Sequence, residues 1–225
     1  MGRTYLRNLI LAAVVGSAAG LLPAARSAHG LFDSKALQQN RFAVLGQPVG
    51  ERNWKLLVLE QIKQRPRCWT PRADGLVDPT LNTFNFAGIC SRYLDSNGYS
   101  LRVGDDDVSP RYRLRLESQG NTLVLLAMSG SHPTELVVGR GAIPLRDRSG
   151  FVALKLEPGW QLERRMYGER SLSHVYFANP QPLDGLIAQA ERNQARPVAT
   201  YGSTRPGNGP IALQVIPYGG QAPRF

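Results

Sequence analysis

Lysine, histidine and cysteine are all scarce in this chain. Of 27 basic residues among 225, only 4 are lysine and 23 are arginine. Three histidines, His29, His132 and His174, leave little material for a metal centre or for several acid–base sites. The two cysteines, Cys68 and Cys90, lack a C-x-x-C spacing and are a weak basis for a zinc site. Ser129-Gly130-Ser131-His132 lacks the G-x-S-x-G elbow that exposes a nucleophilic serine. No stretch after residue 25 is long and apolar enough to cross a bilayer, and no repeat of solenoid or propeller period is visible.

What is present begins with an address. Arg3 and Arg7 precede an uncharged run, Leu9–Ala25, followed by the small residues Ala25 and Ser27. That is the three-part pattern of a secretory signal peptide, expected over residues 1–27. Gly16, Gly20 and Pro23 interrupt the run, which argues against a retained membrane anchor. Removing residues 1–27 takes away Arg3, Arg7 and Arg26 and no acid, so the formal charge falls from +10 to +7 over 198 residues. The expected location is periplasmic or extracellular. In such a compartment Cys68 and Cys90 read as a disulfide, whose closure contributes about 3 kcal/mol on the chain-entropy argument. A thiol nucleophile or a metal-ligand pair is the weaker alternative.

Glycine (23) and proline (16) favour short strands and turns. Trp54–Ile62 is a continuous apolar run that periodicity alone leaves open between strand and helix, and its length favours a strand. Ser34 is placed to cap a short helix over Ser34–Gln39. Residues 63–80, with Pro66, Pro71 and Pro79, read as an irregular loop. Asn97-Gly98 suits a type I′ turn, predicting a hairpin between Arg92–Leu94 and Tyr99–Val103. Arg111–Glu117 alternates strictly, with Tyr112, Leu114 and Leu116 inward and Arg111, Arg113, Arg115 and Glu117 outward. Further strands are expected over Thr122–Met128, Glu135–Val138, Phe151–Leu156, Trp160–Tyr167 and His174–Phe177, punctuated by glycine turns. Asp184 would cap a late helix over Gly185–Arg192. The fold class is mainly β, an antiparallel β-sandwich or partly open barrel with one late α-helix and a disordered C-terminal tail. The expected divisions are a signal peptide (1–27), one β-rich domain (28–194) and a Pro/Gly-rich basic tail (195–225) with one edge strand, Ile211–Ile216.

Four strings carry a family resemblance: KLLVLEQ (55–61), RPRCW (65–69), FNFAGICSRYLDSNGYSLRVG (84–104) and EPGWQLERRMYGERSLSHVYF (157–177). Over roughly residues 42–178 the chain resembles a domain of unknown function from exported cyanobacterial proteins. In that family the domain is sometimes joined to surface-layer anchoring modules, and this sequence contains none. The resemblance implies export and a single domain. It carries no activity and no catalytic residue.

Arginine dominates the remaining candidates. Arg111, Arg113 and Arg115 on one strand face, with Arg164, Arg165 and Arg170 on a later hairpin, suit bidentate pairing to carboxylate, sulfate or phosphate. An anionic envelope polysaccharide or a lipid headgroup is the expected partner, and export argues against nucleic acid. The competing explanation is a GC-rich coding bias that replaces lysine by arginine on an ordinary solvated face. Asp105-Asp106-Asp107 lacks calcium-loop spacing and reads as a solvated turn. Asp95, Glu117, Glu157 and Glu163 are carboxylates that nothing in the sequence pairs for glycoside chemistry. Gly139-Arg140-Gly141 resembles the start of a dinucleotide loop, but Pro144 stands where the third glycine belongs. Trp54, Trp69 and Trp160 are candidates for stacking on sugars, although Trp69 and Trp160 read better as core residues around the disulfide. His174 shares a strand face with Tyr176 and reads as a structural histidine. The function expected is a non-catalytic envelope-binding or structural module with no cofactor or metal. The alternative is an envelope or polysaccharide hydrolase using His174 and a carboxylate.

Overall fold

Burial on both faces makes Leu56–Leu59 a strand rather than a helix. In the computed structural model, which describes residues 30–51, 53–80, 83–145 and 150–195, Leu56 and Val58 face one apolar cluster while Leu57 and Leu59 face another. The expected signal peptide and all but the first residue of the expected tail lie outside the described residues, as does Ile211–Ile216.

The run belongs to β3 (Asn53–Gln61), which pairs antiparallel with β2 (Phe42–Val49) from Phe42↔Glu60 to Val49↔Asn53. These two strands lie within a six-stranded sheet of order β4-β5-β12-β2-β3-β6. Its other members are β4 (Trp69–Pro71), β5 (Leu76–Pro79), β6 (Cys90–Tyr93) and β12 (Phe151–Ala153). Strands β4 and β5 occupy the segment expected to be an irregular loop. Pro71 and Pro79 each stand at a strand's last residue, where a missing N–H costs the ladder little.

A four-stranded sheet, β13-β11-β10-β9, is built from β9 (Tyr112–Gln119), β10 (Thr122–Ser129), β11 (Leu136–Ala142) and β13 (Lys155–Leu156). A five-stranded sheet has the order β1-β14-β15-β7-β8. It comprises β1 (Asp33–Ala36), β7 (Tyr99–Val103), β8 (Asp106–Asp107), β14 (Gln161–Tyr167) and β15 (Arg170–Asn179). Helix α1 spans Leu183–Ala195 and buries Leu186. It begins before Asp184, so that carboxylate lies in the first turn, where it favours the helix dipole. The architecture is mainly β, with curled sheets and one late helix, as the sequence predicts. All three sheets and α1 contribute to the larger core. The smaller core lies behind the six-stranded sheet and contains both cysteines.

Two local expectations are corrected. Asp33–Ala36 is an edge strand paired to β14 from Asp33↔Met166 to Ala36↔Glu163, and a short 3-10 turn (Gln39–Arg41) follows it. Sheet pairing therefore overrides the helix-capping signal at Ser34. Around Asn97-Gly98 the chain does turn, with the Asp95 carbonyl accepting from the Gly98 and Tyr99 amides at 2.9 and 3.0 Å. The flanking strands do not pair, however. β6 joins β3, while β7 lies parallel to β15. No described non-glycine residue has a positive φ, so Asn97 does not adopt the type I′ geometry. Space is tight at Gly98, where a Cβ would stand 3.1 Å from Tyr93 Cα. Close packing also explains Gly139-Arg140-Gly141: a Cβ at Gly141 would lie 2.4 Å from the Ala153 carbonyl oxygen.

Cys68 and Cys90 are joined, with Cα atoms 5.9 Å apart. Cys68 immediately precedes β4 and Cys90 opens β6, and these are the two edge strands of the six-stranded sheet. The bond therefore ties opposite margins of one curled sheet.

Candidate functional site

Strand alternation separates the two adjacent arginines that the sequence groups together. On β14, Arg164 lies opposite Val175 and points toward the six-stranded sheet. Its Nη2 donates to both Glu60 carboxylate oxygens at 2.8 Å, and its Nη1 donates to the Tyr93 hydroxyl at 2.7 Å. Tyr93 in turn donates to Glu60 at 2.5 Å. Arg165 takes the other face, where it pairs with Asp107 and donates from Nε to the Tyr176 hydroxyl at 2.5 Å. Tyr176 donates to the same Asp107 oxygen at 2.9 Å. Each arginine thus sits in its own Arg–Tyr–carboxylate triad, with side-chain exposures of only 12% and 17%. Neither guanidinium belongs to an open cationic face. The period of two along a strand sends neighbours to opposite sides. Arg164 and Arg165, named together among the candidate anion-binding residues, therefore occupy separate internal networks.

Electrostatics follow the same geometry. Burial alone would raise the Asp107 carboxyl, but hydrogen bonds from Ser109, Tyr176 and Arg165 outweigh it and hold the group below its ordinary value. Burial pushes the Tyr176 phenol up to about 12, the Arg165 hydrogen bond opposing and the Asp107 carboxylate adding to the shift. Asp107 is therefore an ion-pair partner, while Asp105 and Asp106 are exposed.

His174 is 6% exposed, its ring 5.4 Å from that of Tyr176. The Asn97 carbonyl lies 2.8 Å from Nδ1 and can only accept, which places the proton on Nδ1. Nε2 then accepts from the Ser100 hydroxyl at 2.8 Å. A serine hydroxyl on a histidine base is the beginning of nucleophilic geometry. Here the orienting group is a carbonyl instead of a carboxylate, and Ser100 is itself only 7% exposed. Burial, reinforced by nearby Arg165, lowers the His174 pKa although the Asn97 bond opposes the change, favouring the neutral ring. The hydrolase expectation required an acid on His174 at an open cleft, and the structure supplies neither at this position. Asp95 caps its own turn at the Asn97 amide, Glu117 pairs with Arg115, Glu157 pairs with Arg140, and Glu163 accepts from Gln161. None of these four carboxylates is bonded to another.

The β9 arginines follow the predicted alternation. Tyr112 and Leu116 are buried and Leu114 half-buried, while Arg113 and Arg115 are exposed along the strand and Arg111 is exposed just before it. β9 is a sheet edge, paired on one side only, to β10. Arg115 contacts Glu117 at 3.3 Å; Arg111 and Arg113 have no ion pair among the described residues. Arg170 is likewise exposed, at the start of β15. Trp160 is a core residue, as expected, at 9% exposure. Trp69 and Trp54 are half-buried, and each keeps part of its ring at a surface groove. Sequence reasoning misses the partners Glu60, Tyr93 and Asp107 because they lie 58 to 104 residues from the arginines they bind.

No curated protein and no solved structure matches the chain. A family described as proteins of unknown function, DUF3747, matches residues 8–182, a span that covers the three sheets from β1 to β15 and takes in the apolar run Leu9–Ala25. The chain belongs to the DUF3747 family of proteins of unknown function.

Proposed function

We propose that this protein is an exported, non-catalytic binding module that holds an anionic envelope polymer against the β9 edge. The observation that carries this reading is the row Arg111, Arg113 and Arg115, exposed at successive outward positions with apolar residues beneath. Alternate residues on a strand are roughly 6.6 Å apart, so the row presents regularly spaced guanidiniums to a repeating polyanion. Guanidinium pairs bidentately with carboxylate, sulfate and phosphate, which suits acidic polysaccharide. The leader pattern of residues 1–27 supports export, and the buried, neutral setting of His174 supports a role other than hydrolysis. Arg164 and Arg165 act as internal supports in this reading.

Pull-down of the full chain on isolated envelope polysaccharide, titrated with salt, tests the proposal. Arg113→Glu is expected to weaken binding about tenfold by removing one charge contact and adding a repulsive one. The salt dependence should flatten in parallel. Binding that is absent, or that is indifferent to the substitution, overturns the reading.

A further inference from the structure

A second basic surface lies at the open end of the β2–β3 hairpin, away from the turn beside which Arg115 lines a separate groove. It is a groove of about 770 Å³ between the 3-10 turn before β2 and the loop joining β3 to β4. Arg41, Lys63, Arg65 and Arg67 line it, together with Trp69 and the exposed Ile62. Its other polar groups are amides, among them Gln38, Asn40 and Gln64, and no carboxylate lines it among the described residues. Lys63, Arg65 and Arg67 are exposed and have no ion pair among the described residues.

The groove is held in shape independently of any ligand. Arg41 Nε donates to the Gln61 carbonyl at 2.9 Å, and its Nη2 donates to the Ile62 carbonyl. The Gln61 side chain staples the loop by donating to the Lys63 and Pro66 carbonyls at 2.5 and 2.9 Å and accepting from the Cys68 amide at 2.9 Å. The Ile62 and Lys63 amides both donate to the Ile89 carbonyl, and Thr80 Oγ1 donates to the Arg67 carbonyl. The disulfide closes the loop at Cys68. The backbone that carries these cations is fixed at both ends, so an anion binding there forfeits little backbone ordering entropy. A counter-anion bound there would relieve the repulsion among the cations. An aromatic ring beside those cations adds an apolar face of the kind on which a sugar ring packs.

We propose that this groove is a binding site for an acidic glycan, its carboxylate or sulfate groups taken by Lys63, Arg65 and Arg67 and one sugar ring placed on Trp69. The assignment stands on residues other than the β9 row and does not require that row to bind anything. Short acidic oligosaccharides distinguish the two sites, because such a ligand fits within one of them.

The test uses the full chain after leader removal, with sulfated dextran oligosaccharide, oligogalacturonate and neutral dextran oligosaccharide as probes and tryptophan fluorescence with calorimetry as readouts. Both acidic probes, or one of them, should bind and perturb the fluorescence, and neutral dextran should not. A preference for the sulfated or the uronate probe assigns sulfate ester or carboxylate as the recognised group. Arg65→Glu/Arg67→Glu should weaken binding at least about tenfold, while Arg113→Glu leaves the short-probe affinity unchanged. Trp69→Phe, a conservative change, should keep the fold and abolish the fluorescence response, whereas Trp54→Phe retains it. Equal binding of neutral dextran, a double variant that is folded and binds as the parent does, or a fluorescence response that survives Trp69→Phe each overturns the proposal. So does the failure of both acidic oligosaccharides to bind, whether or not anionic phospholipid vesicles, added as a fourth probe, bind in their place.

Discussion

Glu60 accepts from two Arg164 contacts and from Tyr93, and these three side chains are brought together by three different strands. Removing the carboxylate leaves a guanidinium that is mostly shielded from water without its counter-charge. Glu60→Ala should therefore destabilise the protein by about 3 kcal/mol, within the range for breaking a shielded pair. Glu117→Ala removes the partner of Arg115, whose side chain is 63% exposed, and should cost less than about 1 kcal/mol. Urea denaturation of the two variants checks the contrast; equal losses would mean that the Arg164 triad contributes no more than a surface pair. Arg164, facing the six-stranded sheet, joins sheet to sheet, and Arg165, on the opposite face, joins strand to strand. Arg111 and Arg113, facing outward, keep their guanidiniums available to a ligand.

At the scale of elements, strands are legible in the sequence wherever burial falls on one face. The alternation in Arg111–Glu117 predicts β9 with its correct sides, because only one side of that strand meets the core. Leu56–Leu59 is ambiguous because both sides are buried, and periodicity vanishes when neither face is wet. Asn97-Gly98 misleads for a different reason. The local turn is there, but partner choice is decided by long-range packing, which takes β6 and β7 into different sheets. The Arg164–Glu60 and Arg165–Asp107 pairs are illegible because no short-range pattern encodes contacts across such separations. The disulfide is legible from cysteine parity and the expectation of export, although its place between the sheet's two margins is not. Cys68→Ser/Cys90→Ser should lower stability by about 3 kcal/mol through the freed unfolded chain. Comparing that double variant with the oxidised parent in guanidinium measures it, and an unchanged midpoint would show that the margins are held by the sheet itself.

For the whole molecule, two buried networks on the five-stranded sheet shape the response to acid. His174 is held below its ordinary value of 6.5, so below that pH the unfolded chain binds a proton that the fold resists. Stability attributable to this ring is complete above 6.5 and declines as the pH falls toward the folded value. Asp107 is held below 3.8, so its contribution is complete above that pH and is lost as the pH falls below it. Thermal denaturation followed from pH 7 downward should show two successive losses, and His174→Gln should remove the upper one selectively. A parent profile that is flat around 6.5 would contradict the neutral, desolvated ring. The bond between the margins of the six-stranded sheet also bears on mechanics. Lys63, Arg65 and Arg67 ride on a loop whose ends are β3 and the cystine, so a polymer pulling on that loop loads β3, β4 and β6 together. The β3–β6 ladder and the pairing of β4 with β5 then share the force instead of parting one after another. Reduction of the cystine would convert the same pull into peeling of β4 from its edge, so the loop's resistance to force depends on the oxidation state of Cys68 and Cys90.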